Sequence, residues 1–266
     1  VIDTSYISVQ NKDCNCKNRK FNDFQDSILL KFNLFDSDIC QLLCNKKVNY
    51  NYIDSLISQN DLPLKFSFLP LVNSRLNNHY SNGLGSIGLW ELNYIYGLHN
   101  GLKMDSYIDE RKDPVKSSIA AVKQLKNFHE KYKKTNWTLL AYWSSPSYIN
   151  HVHQVAKSAV WDSCSVYIDQ EYLDKLLLLN TVFRLDSLGV VEIKKPDLKT
   201  QTLDTVVLNQ KISFNAIYDL TAIDLNVVQR NNPFLLKPFL PSNHPVSINH
   251  SEKEILENAL KLIINY

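Results

Sequence analysis

Apolar and polar positions alternate along most of this chain with the period of a helix. Between Phe24 and Ser58, Ile28, Leu29 and Phe32, then Ile39, Leu42 and Leu43, recur at helical spacing, which predicts two or three short helices. Pro63 suits a helix start, and Phe66, Leu69, Val72 and Leu76 then mark one buried face with Asn73 beside it. Asp113-Pro114 reads as an N-cap and first helical residue, followed by the stripe Val115, Ile119, Val122 and Leu125. Another helix begins near Trp137 and carries Leu139, Leu140 and Tyr142. The stretch from Tyr172 to Leu188 is a further helix that closes on Gly189.

After Lys194-Lys195-Pro196-Asp197, which reads as a linker, the period changes. Thr205-Val206-Val207-Leu208 is β-branched and predicts a short strand, with Pro245-Val246-Ser247-Ile248 as its returning partner. Between them Ser213 caps a helix carrying Ile217 and Leu220, and Asp224 caps one carrying Leu225 and Val228 that stops at Asn231-Asn232-Pro233. Ser251, with Glu254 at the capping-box position, starts a last helix. The organisation expected is a polar tail or linker over 1–24, a helical lead-in over 25–60, a helical domain over 61–190, a βααβ module over 197–250 and a C-terminal helix over 251–266. The fold class is mainly α with a small α+β module at the end.

Composition narrows the function classes. At 266 residues and 44% hydrophobic content the chain can bury a sizeable core. A net charge of +2 is too balanced for a nucleic-acid binder, which needs a basic patch. The most apolar stretch, Leu176 to Leu179 with Val182 and Phe183, is flanked by Asp174, Lys175 and Arg184, so it is a core helix and no transmembrane span is expected. A start at Val1 without Met fits a chain from which an export signal has been removed, or one otherwise trimmed.

The five cysteines do not form a metal pattern, because no CxxC pair or His partner lies at finger spacing. Cys14 and Cys16 are too close for a mutual bridge, and Cys40 and Cys44, at i, i+4 on a helix, rarely suit one. They read as tail cysteines and, with Cys164, buried small side chains, which leaves the redox compartment open. His151 and His153 would share a face on a strand, but with no third ligand they read as exposed polar residues. Lys131, Lys133 and Lys134 read as a solvated helix end. No metal or cofactor is expected.

Three of the six glycines, Gly83, Gly85 and Gly88, lie between Ser81 and Gly88, which marks tightly turning backbone. Around it stand five motif pieces in order: Leu62-Pro63 with Leu69-Pro70-Leu71-Val72, then Ser74, then Gly88-Leu89-Trp90, then Tyr107-Ile108-Asp109-Glu110-Arg111-Lys112-Asp113-Pro114, then Ala141-Tyr142. Over Leu62 to Pro146 this order resembles the lytic transglycosylases of the soluble type, in particular the membrane-bound murein transglycosylase D branch, whose fold relatives are the goose-type lysozymes. The resemblance implies a lysozyme-like helical domain that acts on peptidoglycan glycan strands. The block from Thr205 to Ile248 resembles a degenerate LysM module, a small glycan-binding unit that often follows such domains.

The departures from the family gather at the chemistry. Glycoside cleavage needs a carboxylic acid to protonate the leaving oxygen. The family has that Glu where this chain has Asn73, and an amide has no proton to give. The family has Gln after the Trp; here it is Glu91. The family continues Tyr-Asn-x-Gly; here Tyr142 is followed by Trp143, Ser144 and Ser145. Tyr142, which the resemblance places across the cleft, is kept.

The resemblance implies that Ser74, Ser81, Gly88, Leu89, Trp90, Trp143 and Ser145 contact substrate. The expected function is recognition of glycan strands by a transglycosylase scaffold that has lost catalysis. The alternatives are an active enzyme with Glu91 as the substitute acid, and a structural subunit that docks an envelope protein. In each case the protein would belong to the periplasm or cell envelope of a bacterium.

Overall fold

The computed structural model describes residues 14–16, 23–193 and 203–264. The expected polar tail lies mostly outside the described residues, and the expected linker after Ile193 lies wholly outside them. Along the chain run strand β1 (Cys14–Cys16) and helices α1 (Asp23–Lys31), α2 (Asp36–Asn49), α3 (Tyr52–Ser58), α4 (Leu69–Ser74), α5 (Tyr94–His99), α6 (Pro114–Tyr132), α7 (Thr135–Trp143), α8 (Pro146–Ala156), α9 (Trp161–Cys164) and α10 (Gln170–Ser187). Then follow β2 (Val191–Ile193), β3 (Leu203–Val207), β4 (Ile212–Ser213), α11 (Phe214–Thr221), α12 (Leu225–Asn231), β5 (Phe239–Leu240), β6 (Pro245–Asn249) and α13 (His250–Ile264). The fold is mainly α, with its few strands concentrated towards the C-terminal end. No described helix is long and apolar enough to cross a membrane.

The chain forms two compact units. One holds the described parts of Val9–Asn77 and Ser118–Pro196. Its core gathers the buried faces of α1, α2 and α3, a 3-10 turn over Leu64–Phe68, and α10, which buries Leu178, Leu179 and Val182. Phe68 meets Phe183 edge-on at 5.7 Å. Lys46 is 2% exposed, with its Nζ 2.8 Å from Asp54 and 4.1 Å from the Phe68 ring centre. The carboxylate offsets the cost of burying that ammonium.

Two local expectations change here. The face of Phe66, Leu69, Val72 and Leu76 is not one helix: the 3-10 turn passes into α4, which ends at Ser74. Arg75 (φ 52°) and Leu76 (φ 61°) both adopt left-handed backbone. His151 and His153 lie on α8, not a strand, so a spacing of two turns them to different sides; His153 packs edge-on against Trp137 at 4.5 Å.

The cysteine reading is corrected. Cys14 and Cys44 form a disulfide, and Cys40 is also disulfide-bonded, whereas Cys164 is free and buried. The sequence argument failed because it weighed only neighbours in the chain. β1 pairs antiparallel with β2 (Cys14 opposite Ile193) and so comes to lie against α2. Closing a loop of 30 residues restricts the unfolded chain by about 3–4 kcal/mol. Reductant should therefore lower the free energy of unfolding by at least that amount in a denaturant titration.

The second unit holds Asn78–Ser117 and the described part of Asp197–Tyr266. β3 and β6 pair antiparallel, with α11 and α12 between them in the chain. Ser213 accepts from the Ala216 amide and Asp224 from that of Asn226, as their cap positions predict. The last helix starts at His250, one residue before the expected Ser251 cap. Ile108 shares one buried cluster with Val206, Phe214, Leu235 and Ile248. Beside it Glu110 Oε1 lies 2.5 Å from Lys116 Nζ and 3.5 Å from His244 Nε2.

His244 is buried, edge-on to Phe234. Burial first, then the Lys116 charge and more weakly Lys103, holds its pKa below that of a free imidazole against the pull of Glu110 and Asp105. The unfolded chain therefore takes up this proton at a pH where the folded one does not, and stability falls as pH drops below about 6.5. Thermal unfolding followed from pH 7.5 to 5.5 should show a declining midpoint, and His244→Gln should flatten the decline.

Candidate functional site

Five of the expected site residues lie in the first unit. Asn73 is in the last turn of α4, buried at 6% exposure. Its Oδ1 accepts a hydrogen bond from the indole Nε1–H of Trp143 at 2.9 Å. Trp143 ends α7, one residue after the buried Tyr142. Ser74 is buried and its hydroxyl donates to the Pro70 carbonyl at 2.9 Å, so it serves its own helix. Ser145 caps α8, accepting from the Tyr148 amide at 3.1 Å. The side chains of Asn73 and Trp143 are therefore bonded to each other, and a Trp ring stands against the buried amide.

The other five lie in the second unit. Ser81 is exposed and its Oγ accepts from the Gly83 amide at 3.3 Å. Leu89 and Trp90 are wholly buried. Neither offers a surface to a ligand, so the contact with substrate expected of them gives way to a supporting role. Glu91 has left-handed backbone (φ 54°), which costs a side-chain-bearing residue about 1 kcal/mol. Its carboxylate accepts from Asn82 Nδ2 at 3.1 Å.

Gly88 explains the glycine of its motif. It has φ 79°, and a Cβ built on it would stand 1.9 Å from the Arg111 carbonyl oxygen. Arg111 in turn holds the segment. Its Nε and Nη2 donate to Asp109 at 3.0 and 2.8 Å, and its Nη1 donates to the carbonyls of Gly85 at 2.9 Å and Leu92 at 3.2 Å. Asn82 closes the loop from the other side, with Oδ1 accepting from the amides of Leu84 at 2.8 Å and Ser86 at 3.1 Å. The roles of Asn82 and Arg111 went unread in the sequence. Asn before Gly83 is a turn signal, and Arg111 sits in the motif block, but its reach back to Gly85 is a tertiary fact.

Asn73 thus lies buried on a helix entered through Leu69-Pro70 and is bonded to the residue that follows Tyr142. Residues 55–159 match the family described as Transglycosylase SLT domain. The chain is also similar to the membrane-bound lytic murein transglycosylase D of Escherichia coli (strain K12), with 23% identity over 188 residues, covering 68% of this chain and 41% of that protein. The protein of the same name from Escherichia coli O6:H1 is similar to the same extent, 23% over 188 residues. The chain thus spans about two fifths of the length of these relatives.

Proposed function

We propose that this chain recognises peptidoglycan glycan strands with a transglycosylase-type domain that does not cleave them. The observation that supports this most directly is the bond from Trp143 Nε1 to Asn73 Oδ1. General acid catalysis of glycoside cleavage needs an ionisable proton at that position, and an amide fixed by an indole supplies none. Trp143, only partly buried, keeps part of its ring for stacking on a sugar face. Glu91 does not replace the acid in this reading, because its carboxylate is engaged by Asn82 within its own loop.

The β3–α11–α12–β6 module is LysM-like and adds a second glycan contact. The protein works in the bacterial cell envelope. The disulfide supports an oxidising compartment, where such bonds persist.

Purified protein mixed with sacculi should sediment with them and release no 1,6-anhydro-muropeptides. Trp143→Ala should weaken sedimentation by about 10-fold, in line with the 1–3 kcal/mol that stacking and anchor rings contribute. Muropeptide release abolished by Glu91→Gln would overturn the proposal in favour of an active enzyme. Absence of sedimentation at any ionic strength would favour a protein-docking subunit.

A further inference from the structure

We infer that the C-terminal module and the Gly88–Glu91 segment open and close as one cooperative element, the module acting as a fixed brace for that segment. This goes beyond the proposed function and holds whether or not the chain binds glycan.

The connection can be followed atom by atom inside the second unit. The module's Phe234 carbonyl accepts from the Asp109 amide at 2.9 Å, and its Leu236 amide donates to the Tyr107 carbonyl at 2.8 Å. Ile108, between them, bridges Leu235 and is 1% exposed within the module's own core. Asp109 then grips Arg111 through two oxygens, and Arg111 carries Gly85 and Leu92 on one nitrogen, with its carbonyl closing on Gly88. One residue along, Glu110 is held by Lys116 and by the Lys103 amide at 2.6 Å, with His244 of the module alongside.

The charges along this chain of contacts are buried, and that makes it cooperative. Asp109, Glu110 and Arg111 are each under 10% exposed. A buried ion pair is tolerable only while its partners are in place, and removing one partner leaves an uncompensated charge. If the module opened, Ile108 would lose its core and Asp109 its backbone partner. The Asp109–Arg111 pair, which carries Gly85 and Leu92, would then lose the backbone anchor that fixes its position. The module is thus not a second reader on a flexible tether, which would add binding only through effective concentration.

Native-state hydrogen exchange on the full chain at low denaturant tests this. The amides of Gly88 and Leu92, bonded to Tyr80 and Ile87 carbonyls, should share one opening free energy and one denaturant dependence with those of Asp109 and of β3 and β6. Phe234→Ala should speed exchange at Gly88 and Leu92 by the same factor as in β3 and β6. If that variant does not fold, the wild-type measurement decides alone. Exchange in β3 and β6 that runs 10-fold or more faster than at Gly88 and Leu92 would show that the module opens by itself, and would overturn the inference. Sacculi enter neither measurement, so a failure of glycan binding is read separately.

Discussion

Sacculi treated with the Asn73→Glu variant should still release no anhydro-muropeptides. Restoring the carboxyl group is not enough, because its neighbour has changed as well. A Glu at this position is one methylene longer and sits beside the same indole, 2.9 Å from the present amide oxygen. A hydrogen bond donated to a carboxylate favours its ionised form, by about 1.5–3 kcal/mol for a charged acceptor. That holds its pKa down, the opposite of what a general acid needs. The protonated fraction near neutral pH, and the rate with it, falls by about 10–100-fold.

The double variant Asn73→Glu with Trp143→Asn places the carboxyl group without the indole beside it, and it should gain release that the single variant lacks. Release from the single variant equal to that of the double would show that Trp143 does not hold the site. A double variant that stays inert would place further blocks at Ser144 or Ser145.

Gly88→Ala should be the most damaging single methyl in the second unit. Gly83 and Gly88 have nearly the same backbone, φ 76° and 79°, so a side chain costs each of them about 1 kcal/mol in conformation. Their surroundings differ. Nothing lies within 4 Å of a Cβ at Gly83, whereas at Gly88 the Arg111 carbonyl oxygen is at 1.9 Å and its carbon at 2.7 Å. Both of those atoms are backbone, tied into the Asp109–Arg111 arrangement, so the clash is relieved only by moving the segment. Overpacking of this kind adds about 1–3 kcal/mol. Gly88→Ala should lose about 3 kcal/mol and 6–12 °C of melting temperature, and Gly83→Ala about 1 kcal/mol. Equal effects at the two positions would mean that contact with Arg111 is unimportant.

How far the sequence disclosed this protein depends on where each feature is encoded. Local signals read well. Asp113 accepts from the Val115 and Lys116 amides at the start of α6, and Gly189 turns left-handed after α10, because caps are set by one residue and its immediate neighbours. The motif pieces from Leu62 to Tyr142 disclosed the lysozyme-like helical domain, since their spacing is itself the fold's signature. The amide at Asn73 was legible as a residue type. Its bond to Trp143, 70 positions away, was not, because nothing in either residue's surroundings names the other. The same holds for Cys14 with Cys44, and for Ile108, whose apolar character was plain but whose partners Val206 and Phe214 lie about a hundred residues on. Long-range pairing is a property of packing, and helical period does not report it.

The Cys14–Cys44 bridge also decides how this protein would bear a mechanical load. In the β1–β2 pair, Cys14 lies opposite Ile193, so strands pulled from before Cys14 and after Ile193 would unzip one rung at a time, a weak geometry. The covalent bond intervenes at the first rung. Tension arriving from upstream of Cys14 passes directly to Cys44 in the middle of α2, and the 30-residue loop that contains α1 carries none of it. Reduction would remove that bypass and let the force peel α1 away first. Single-molecule pulling with and without reductant would register the difference as a length gain of about 100 Å, the contour of those 30 residues.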